Sequence, residues 1–415
     1  MLAQIQVVSK SIGPSPFCTA TRPARGSRTS RPLLVLPSPH AHPSLERLLL
    51  DLLLNAILLL FVTVIVGGLA LLAQWGRKNR SAEISLIVVL LAISFLLMVL
   101  GVGLGTLALL ARNVDQVQGA PAGADGPLLT GSILVIILAG IAGIVLCIPP
   151  LRRVMSRRRV AGGETVNREA TPWETAPEAG DRAVGGRWAD PPFFFGLWMF
   201  VMILAYNLFN LLSFSELVDA GAFRSEGPVS PSVVVISELP FVIIALCGVG
   251  LGVRRNFRET LLRLGYGPLT LPQLGIIPLF IAAALALEAG FNFLFSRLQP
   301  ELYERVGEIS EGLFSADDLS LPAAILLGLL IGVGAAAGEE TLFRGAVQPA
   351  LGITLTSILF ASIHLQYGPS IVLIHIFVIS VGFGLLRKYV NTTASFLAHA
   401  GYNFTLVILS YFFSV

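Results

Sequence analysis

Residues 322–346 read PAAILLGLLIGVGAAAGEETLFRGA, an apolar run whose second half holds two adjacent glutamates and an arginine. About 20 apolar residues in an α-helix are enough to cross the hydrocarbon core of a bilayer. Lipid offers no partner for backbone N–H and C=O groups, so a run of this length predicts a membrane-spanning helix. An ionisable side chain inside such a helix is costly, which marks Glu339, Glu340 and Arg344 as candidates for function.

The whole chain has the same apolar character. Of its 415 residues, 54% are hydrophobic and only 13% are charged, against about 25% charged in soluble domains. The apolar runs predict an all-α, polytopic membrane bundle of about ten transmembrane helices. The predicted spans are 52–74, 85–111, 129–148, 192–213, 232–253, 273–295, 322–346, 353–367, 370–387 and 393–413.

Basic residues alternate between the connections, which indicates topology. The odd-numbered connections are rich in arginine and lysine, as in Arg77–Arg80 and Arg254–Arg263, whereas the even-numbered ones are poor in basic residues or acidic. Since cytoplasmic loops carry the excess of Lys and Arg, the odd connections are predicted to be cytoplasmic. The net charge of +3 is small, so nucleic acid is not expected as a partner, and the bilayer of the plasma membrane is the default location.

Composition divides the chain into four parts. Residues 1–45 are basic and lack Asp and Glu, which is typical of a transit-like segment or a disordered tail. Residues 46–159 form a predicted three-span block. Residues 160–190, rich in Gly, Ala, Glu and Pro, are predicted to be a disordered cytoplasmic linker. Residues 191–415 form a seven-span block.

Two of the polar residues lie at equal depth on either side of a predicted turn. The chain is expected to reverse at Leu351–Gly352 on the cytoplasmic side. Glu339 lies 12 residues before Leu351 and His364 lies 13 residues after it. At the rise of an α-helix, both residues are about 18–20 Å from the turn.

A third helix reaches the same depth. His399 and Asn403 lie 8 and 12 residues beyond the next cytoplasmic turn, near Asn391, or about 12–18 Å into the membrane. Being four residues apart, they share one helix face. Three helices are therefore predicted to bring one layer of polar side chains together: Glu339, Glu340, His364, His399 and Asn403.

Helical spacing separates the two glutamates. Glu340 and Arg344 are four residues apart, so an ion pair can form between them. Glu339 points about 100° away from Glu340 and has no local partner of this kind. We therefore predict a supporting role for Glu340 and Arg344, and a chemical role for Glu339.

The polar layer suits the addition of water to an amide. The chain has no GxSxG nucleophile motif and no HExxH zinc motif. A glutamate withdrawn from bulk water can take a proton from a water molecule that an imidazole orients. A second histidine and an asparagine amide can donate hydrogen bonds to the resulting oxyanion. Glutamate and histidine also bind zinc, so the residues permit a metal ion without requiring one.

Three motifs in this order resemble the CAAX prenyl protease and bacteriocin-processing (CPBP) family. Glu339 to Arg344 is similar to EExxxR, Phe360 to His364 to FxxxH, and His399 to Asn403 to HxxxN. The resemblance covers about residues 230–415.

The resemblance implies an intramembrane endopeptidase that acts on prenylated CAAX proteins or other membrane-associated peptides. It assigns activation of water to Glu339 and His364, and oxyanion stabilisation to His399 and Asn403, with Phe360 in support. A metallo-endopeptidase is the alternative mechanism, in which zinc would bind Glu339, His364 and His399.

Two other classes of function use similar residues. A proton-coupled transporter also buries Glu, His and Arg, although such transporters show repeats and broken helices at the midplane, and the sequence shows no convincing repeat. A non-catalytic scaffold or immunity protein of the same family would retain the motifs without cleaving a peptide.

Three further predictions concern polar residues outside the motifs. His375 lies about 24 Å from the inner turn, outside the layer, and is interpreted as a packing residue. Glu288 and Asn292 are four residues apart and are interpreted as a buried polar pair that lines the cavity. Glu238 stands near the outer end of its span and is predicted to be solvated.

Overall fold

The computed structural model describes residues 45–117, 126–148, 190–214, 231–314 and 319–413, and in those residues it contains helices and no strand. Except for Leu45 and Asp190, the predicted tail 1–45 and linker 160–190 lie outside the described residues. The α-helices are α1 (Leu45–Gly76), α2 (Arg80–Val117), α3 (Gly126–Cys147), α4 (Pro191–Leu212), α5 (Pro231–Gly248), α6 (Phe257–Arg263), α7 (Leu271–Leu298), α8 (Pro300–Phe314), α9 (Leu321–Glu339), α10 (Gln348–Ser362), α11 (Val372–Tyr389) and α12 (Thr392–Phe413).

The apolar helices make this an integral, multi-pass membrane protein. Six helical segments of the described chain are long and apolar enough to cross a bilayer: Ala56–Gly76, Arg80–Leu110, Pro191–Leu212, Leu271–Leu298, Leu321–Ser362 and Val372–Tyr389. Gly131–Cys147 and Ile236–Gly248 are shorter apolar helices. The polytopic all-α bundle is thus confirmed, whereas the count of ten spans is not.

The expected turn at Leu351–Gly352 falls on a glycine within α10. Gly352 has φ 83° and ψ 172°, and it breaks the segment Gln348–Ser362 into two helical pieces. A positive φ is favourable only for glycine, because other residues bring Cβ too close to the backbone. The second piece ends at Ser362 and is followed by a 3₁₀ turn at Leu365–Tyr367, so the predicted span 353–367 is only partly helical.

Glycines let α9 approach its neighbours at the centre of the bundle. A Cβ atom on Gly328 would lie 3.1 Å from the Phe404 ring, and one on Gly332 would lie 3.3 Å from the Phe404 backbone nitrogen. Small residues at four-residue spacing allow this close contact between membrane helices. As a result, the end of α9 lies beside the first turns of α12.

The first helices of the chain pack onto the rest through α4 and α5. A core cluster joins Ala70 and Ala73 of α1, Leu86 of α2 and Trp198 of α4. The Trp198 indole donates to Ser94 Oγ at 2.9 Å. At the end of α5, the Gly248 carbonyl accepts a hydrogen bond from the Gln74 amide.

Candidate active site

A change of helix type occurs at the two adjacent glutamates. Glu339 is the last residue of α9, and Glu340–Val347 continues as a π-helix. A π-helical turn is a rare, strained element that occurs often at functional sites. Here α9 supplies Glu339, and the π-helix itself supplies Glu340 and Arg344.

Glu340 is the centre of a buried hydrogen-bond network. Its Oε1 lies 2.9 Å from His399 Nδ1, and its Oε2 accepts from the Ser395 hydroxyl. Arg344 Nε lies 3.2 Å from the same Oε2, and both side chains are almost fully buried. The ion pair predicted between Glu340 and Arg344 is therefore present. The Glu340 carboxylate also orients His399. Residue spacing within one helix could not predict this contact between two helices.

His399 lies between the two glutamates. Its Nδ1 contacts Glu340, and its Nε2 lies 3.7 Å from Glu339 Oε2. The imidazole stacks on the Phe383 ring, with centroids 4.7 Å apart and planes 20° apart. Because the ring is held on one face and at Nδ1, Nε2 is directed towards Glu339.

Phe360 and Phe383 enclose the buried guanidinium of Arg344. The Arg344 Cζ atom lies 4.5 Å from the centre of the Phe360 ring and 5.5 Å from that of Phe383. A desolvated cation over an aromatic face is stabilised by the ring quadrupole. Phe360 also contacts the rings of His364 and His399, so this phenylalanine joins all three motifs.

His364 follows the end of α10, and its tautomer can be deduced. Its Nδ1 lies 2.8 Å from the Phe360 carbonyl oxygen. A carbonyl can only accept, so Nδ1 carries the hydrogen, and Nε2 of the neutral ring has a lone pair. The imidazole also interacts electrostatically with Glu339 and His399. His364 can thus accept a hydrogen bond from a water molecule.

Asn403 has a buried amide whose polar atoms have no hydrogen-bond partner in the part of the chain that the structure describes. Only 1% of the residue is exposed, and neither Nδ2 nor Oδ1 forms a hydrogen bond within the described part of the chain. It lies one turn beyond His399 on α12. A buried amide without partners costs about 1–3 kcal/mol, so the arrangement is consistent with an external ligand at this amide.

The prediction for Glu238 is wrong. We expected a solvated side chain near the outer interface, but only 3% of Glu238 is exposed. The residue packs on Gly338 of α9: a Cβ atom placed there would lie 2.9 Å from the Glu238 Cβ. The carboxyl interacts electrostatically with Glu339 and His399. Counting residues from the start of an apolar run could not reveal which neighbour this side chain faces.

His375 and Glu288 form part of a second polar cluster, in which His375 is buried and Glu288 is partly buried. Glu288 Oε2 accepts a hydrogen bond from the Tyr402 hydroxyl at 2.6 Å and lies 3.3 Å from His375 Nδ1. Asn292 instead interacts with Tyr303. Glu288 and Asn292 therefore have different partners and do not form the predicted pair.

Several residues around the π-helix were not predicted from residue spacing. Ser395 lies one turn before His399 on the same face of α12, a spacing that could have identified it. Tyr266 lies in the connection between α6 and α7, and its hydroxyl is 2.6 Å from Thr341 Oγ1. Burial raises the pKa of the Tyr266 hydroxyl, which therefore stays protonated. Arg387 Nε donates to the Arg344 carbonyl at 3.1 Å.

The described residues do not form a metal site. They contain no group of three or more His, Cys, Asp or Glu side chains that could hold a metal ion. Glu339, His364 and His399, the zinc ligands that the sequence permits, are therefore not brought together as such a group within the described residues.

One comparison with known proteins identifies the region around the site. Residues 321–405 match the family described as Type II CAAX prenyl endopeptidase Rce1-like. No curated protein and no solved structure matches the chain. The family supports an intramembrane peptidase of the CAAX type, over a shorter stretch than the predicted 230–415. Residues 321–405, which contain all three motifs, are thus similar to the Rce1-like family of type II CAAX prenyl endopeptidases.

Proposed function

We propose that the protein is an intramembrane endopeptidase that hydrolyses a peptide bond of a prenylated, CAAX-type or other membrane-associated substrate. The observation that carries the proposal is the buried Asn403 amide, on the same helix face as His399, whose two polar atoms have no hydrogen-bond partner among the described residues. A site that keeps such donors unsatisfied is prepared for an oxyanion that exists only during the reaction.

Glu339 is the base in this mechanism. Water bound between Glu339 and His364 loses a proton to the Glu339 carboxylate as its oxygen attacks the carbonyl carbon. His364 accepts a hydrogen bond from the same water at Nε2, because its Nδ1–H is donated to Phe360. The proton on Glu339 then passes to the leaving amine as the C–N bond breaks.

His399 and Asn403 stabilise the tetrahedral intermediate. Asn403 donates from Nδ2, and His399 donates from Nε2 when the ring is protonated. Glu340 holds His399 at Nδ1 over 2.9 Å, while Arg344 pairs with the Glu340 carboxyl group at 3.2 Å. Removal of one oxyanion donor costs about 10²–10³ in kcat in other hydrolases.

Cleavage of a membrane-peptide library that includes farnesylated CAAX peptides tests this function. The purified protein would be compared with Glu339→Gln and His364→Ala in detergent, with and without a chelator. We expect cleavage by the wild type with or without chelator, and no cleavage by either variant. Equal cleavage by the wild type and Glu339→Gln would refute the role of the base. Loss of cleavage on chelation, with rescue by zinc, would instead establish a metallo-endopeptidase.

A further inference from the structure

The connection between α6 and α7 contacts two of the helices that form the site. Leu264, the first residue of this connection, is fully buried and packs on Gly345 of the π-helix. A Cβ atom on Gly345 would lie 2.8 Å from Leu264 Cδ2, so the glycine permits this close approach. The Leu264 carbonyl accepts a hydrogen bond at 2.6 Å from the hydroxyl of Thr392, the first residue of α12. One residue therefore contacts both the π-helix and the start of α12.

Further hydrogen bonds hold the first turn of α12 on the same connection. The Thr392 backbone N–H donates to the Gly265 carbonyl at 2.9 Å. The Thr393 hydroxyl donates to the Gly267 carbonyl at 2.9 Å and accepts from the Gly267 N–H at 3.1 Å. The hydroxyl groups of two adjacent threonines thus anchor the start of α12 on the connection that also contacts the π-helix.

Thr392 lies on the helix face that carries the site residues of α12. His399 follows it by seven residues, which is about two turns of an α-helix, and both residues are buried. Ser395 lies between them on this face and donates to the Glu340 carboxylate. His399 Nδ1 contacts the same carboxylate at 2.9 Å. The hydrogen bond of Thr392 is therefore one of the contacts that set the position of His399 relative to Glu340.

We propose that Thr392 is a positioning residue, which holds His399 and Asn403 at the oxyanion through its hydrogen bond to Leu264. The proposal rests on the proposed function, because it takes these two side chains to be the oxyanion donors. Such donors act only when they lie within hydrogen-bond distance of the developing charge. A misplacement of about 1 Å can lower the rate by about 10²-fold. Leu264 lies outside the residues that match the family, 321–405, so this anchor is a feature of the chain beyond that match.

Two substitutions of Thr392 separate its hydroxyl from its shape. Thr392→Val removes the hydroxyl at nearly constant volume, whereas Thr392→Ser keeps the hydroxyl. Thr63→Val is the matched control, because Thr63 is a buried threonine of α1 whose hydroxyl donates to the Leu59 carbonyl at 2.6 Å. Each valine variant should lose about 1 kcal/mol of unfolding free energy. Cleavage of a farnesylated CAAX peptide by the detergent-solubilised full chain, measured over a range of peptide concentrations, gives kcat and KM separately.

The expected result is a kcat about 10-fold to 100-fold lower in Thr392→Val than in the wild type. KM should stay within about twofold of the wild type, because the oxyanion contacts form only in the transition state. Thr392→Ser and Thr63→Val should keep the wild-type kcat. A kcat that falls no further in Thr392→Val than in Thr63→Val overturns the proposal. So does a Thr392→Ser variant that is as slow as Thr392→Val.

A second measurement does not depend on cleavage. ¹⁵N NMR of the histidine-labelled chain reports the contact of His399 Nδ1 with Glu340, because the state of each ring nitrogen depends on its hydrogen bond. His399→Gln assigns the signal. The His399 Nδ1 signal should shift in Thr392→Val and stay in place in Thr392→Ser and Thr63→Val. An unchanged signal in Thr392→Val overturns the proposal. A shifted signal in a protein that cleaves no CAAX peptide would contradict the proposed function alone, since the anchoring of His399 by Thr392 would still be shown.

Discussion

Replacing Glu340 with glutamine should destabilise the protein and also stop cleavage, for two separable reasons. The carboxylate is the ion-pair partner of Arg344, at 3.2 Å, and the two side chains are 0% and 1% exposed. Glutamine keeps the shape but leaves a guanidinium buried without a counter-charge. Breaking a buried pair by removing one partner costs about 3–5 kcal/mol, or about 10²–10³·⁵ in the unfolding equilibrium constant.

A double substitution separates the effect of the unpaired charge on stability from the effect on cleavage. In Glu340→Gln/Arg344→Met the stranded cation is gone and an apolar side chain fills its place between Phe360 and Phe383. Exchange of a buried pair for apolar residues of similar volume is often nearly neutral. The double variant should therefore recover at least about 2 kcal/mol relative to Glu340→Gln. It should not recover cleavage, because a neutral amide oxygen at position 340 holds His399 Nδ1 less strongly than the carboxylate does.

The free energy of unfolding would be measured by SDS titration followed by far-ultraviolet circular dichroism, and cleavage would be measured on the same samples. Glu288→Gln is the matched control and should lose only about 1 kcal/mol, since the Tyr402 hydroxyl can still donate to the amide oxygen. A Glu340→Gln variant as stable as this control would refute the reasoning about the buried ion pair. A double variant that cleaves at the wild-type rate would refute the positioning of His399.

Three further changes test other parts of the structure. Asn403→Leu removes a buried amide that has no partner within the described ranges, so stability should stay equal or rise by about 1 kcal/mol while kcat falls about 10²–10³-fold. A loss of stability with normal cleavage would contradict this. Gly332→Ala should separate α9 from α12 and lower both stability and cleavage. Gly290→Ala is the control and should lower neither, because a Cβ there meets nothing within 4 Å. The melting temperatures of the two variants check the difference. Tyr266→Phe removes the hydrogen bond to Thr341 and should cost about 1 kcal/mol in the unfolding titration; a larger loss of cleavage than of stability would give Tyr266 a role beyond support.

Residue spacing predicted the layer because depth in a membrane helix follows from residue count. The contacts of His399 with Glu339 and Glu340 agree with the similar depths that were counted from the predicted turns. The chain also leaves the helical conformation at Gly352, where a turn was expected. The chemical roles of these residues remain predictions.

What spacing could not supply is the contact between helices that are distant in sequence. The burial of Glu238 depends on the absence of a side chain at Gly338, 100 residues further along the chain. The hydrogen bond from Ser395 to Glu340 depends on the approach of α12 to the π-helix. The π-helix could not be predicted from α-helical spacing, because a π-helical turn does not have the period of an α-helix.

The most direct test of the account is release of the C-terminal tripeptide from a farnesylated CAAX peptide, detected by mass spectrometry, with purified wild type, Glu339→Gln and Glu288→Gln. The account predicts release by the wild type and by Glu288→Gln, and no release by Glu339→Gln while that variant remains folded. Release by Glu339→Gln at the wild-type rate would contradict the claim that this glutamate activates the water.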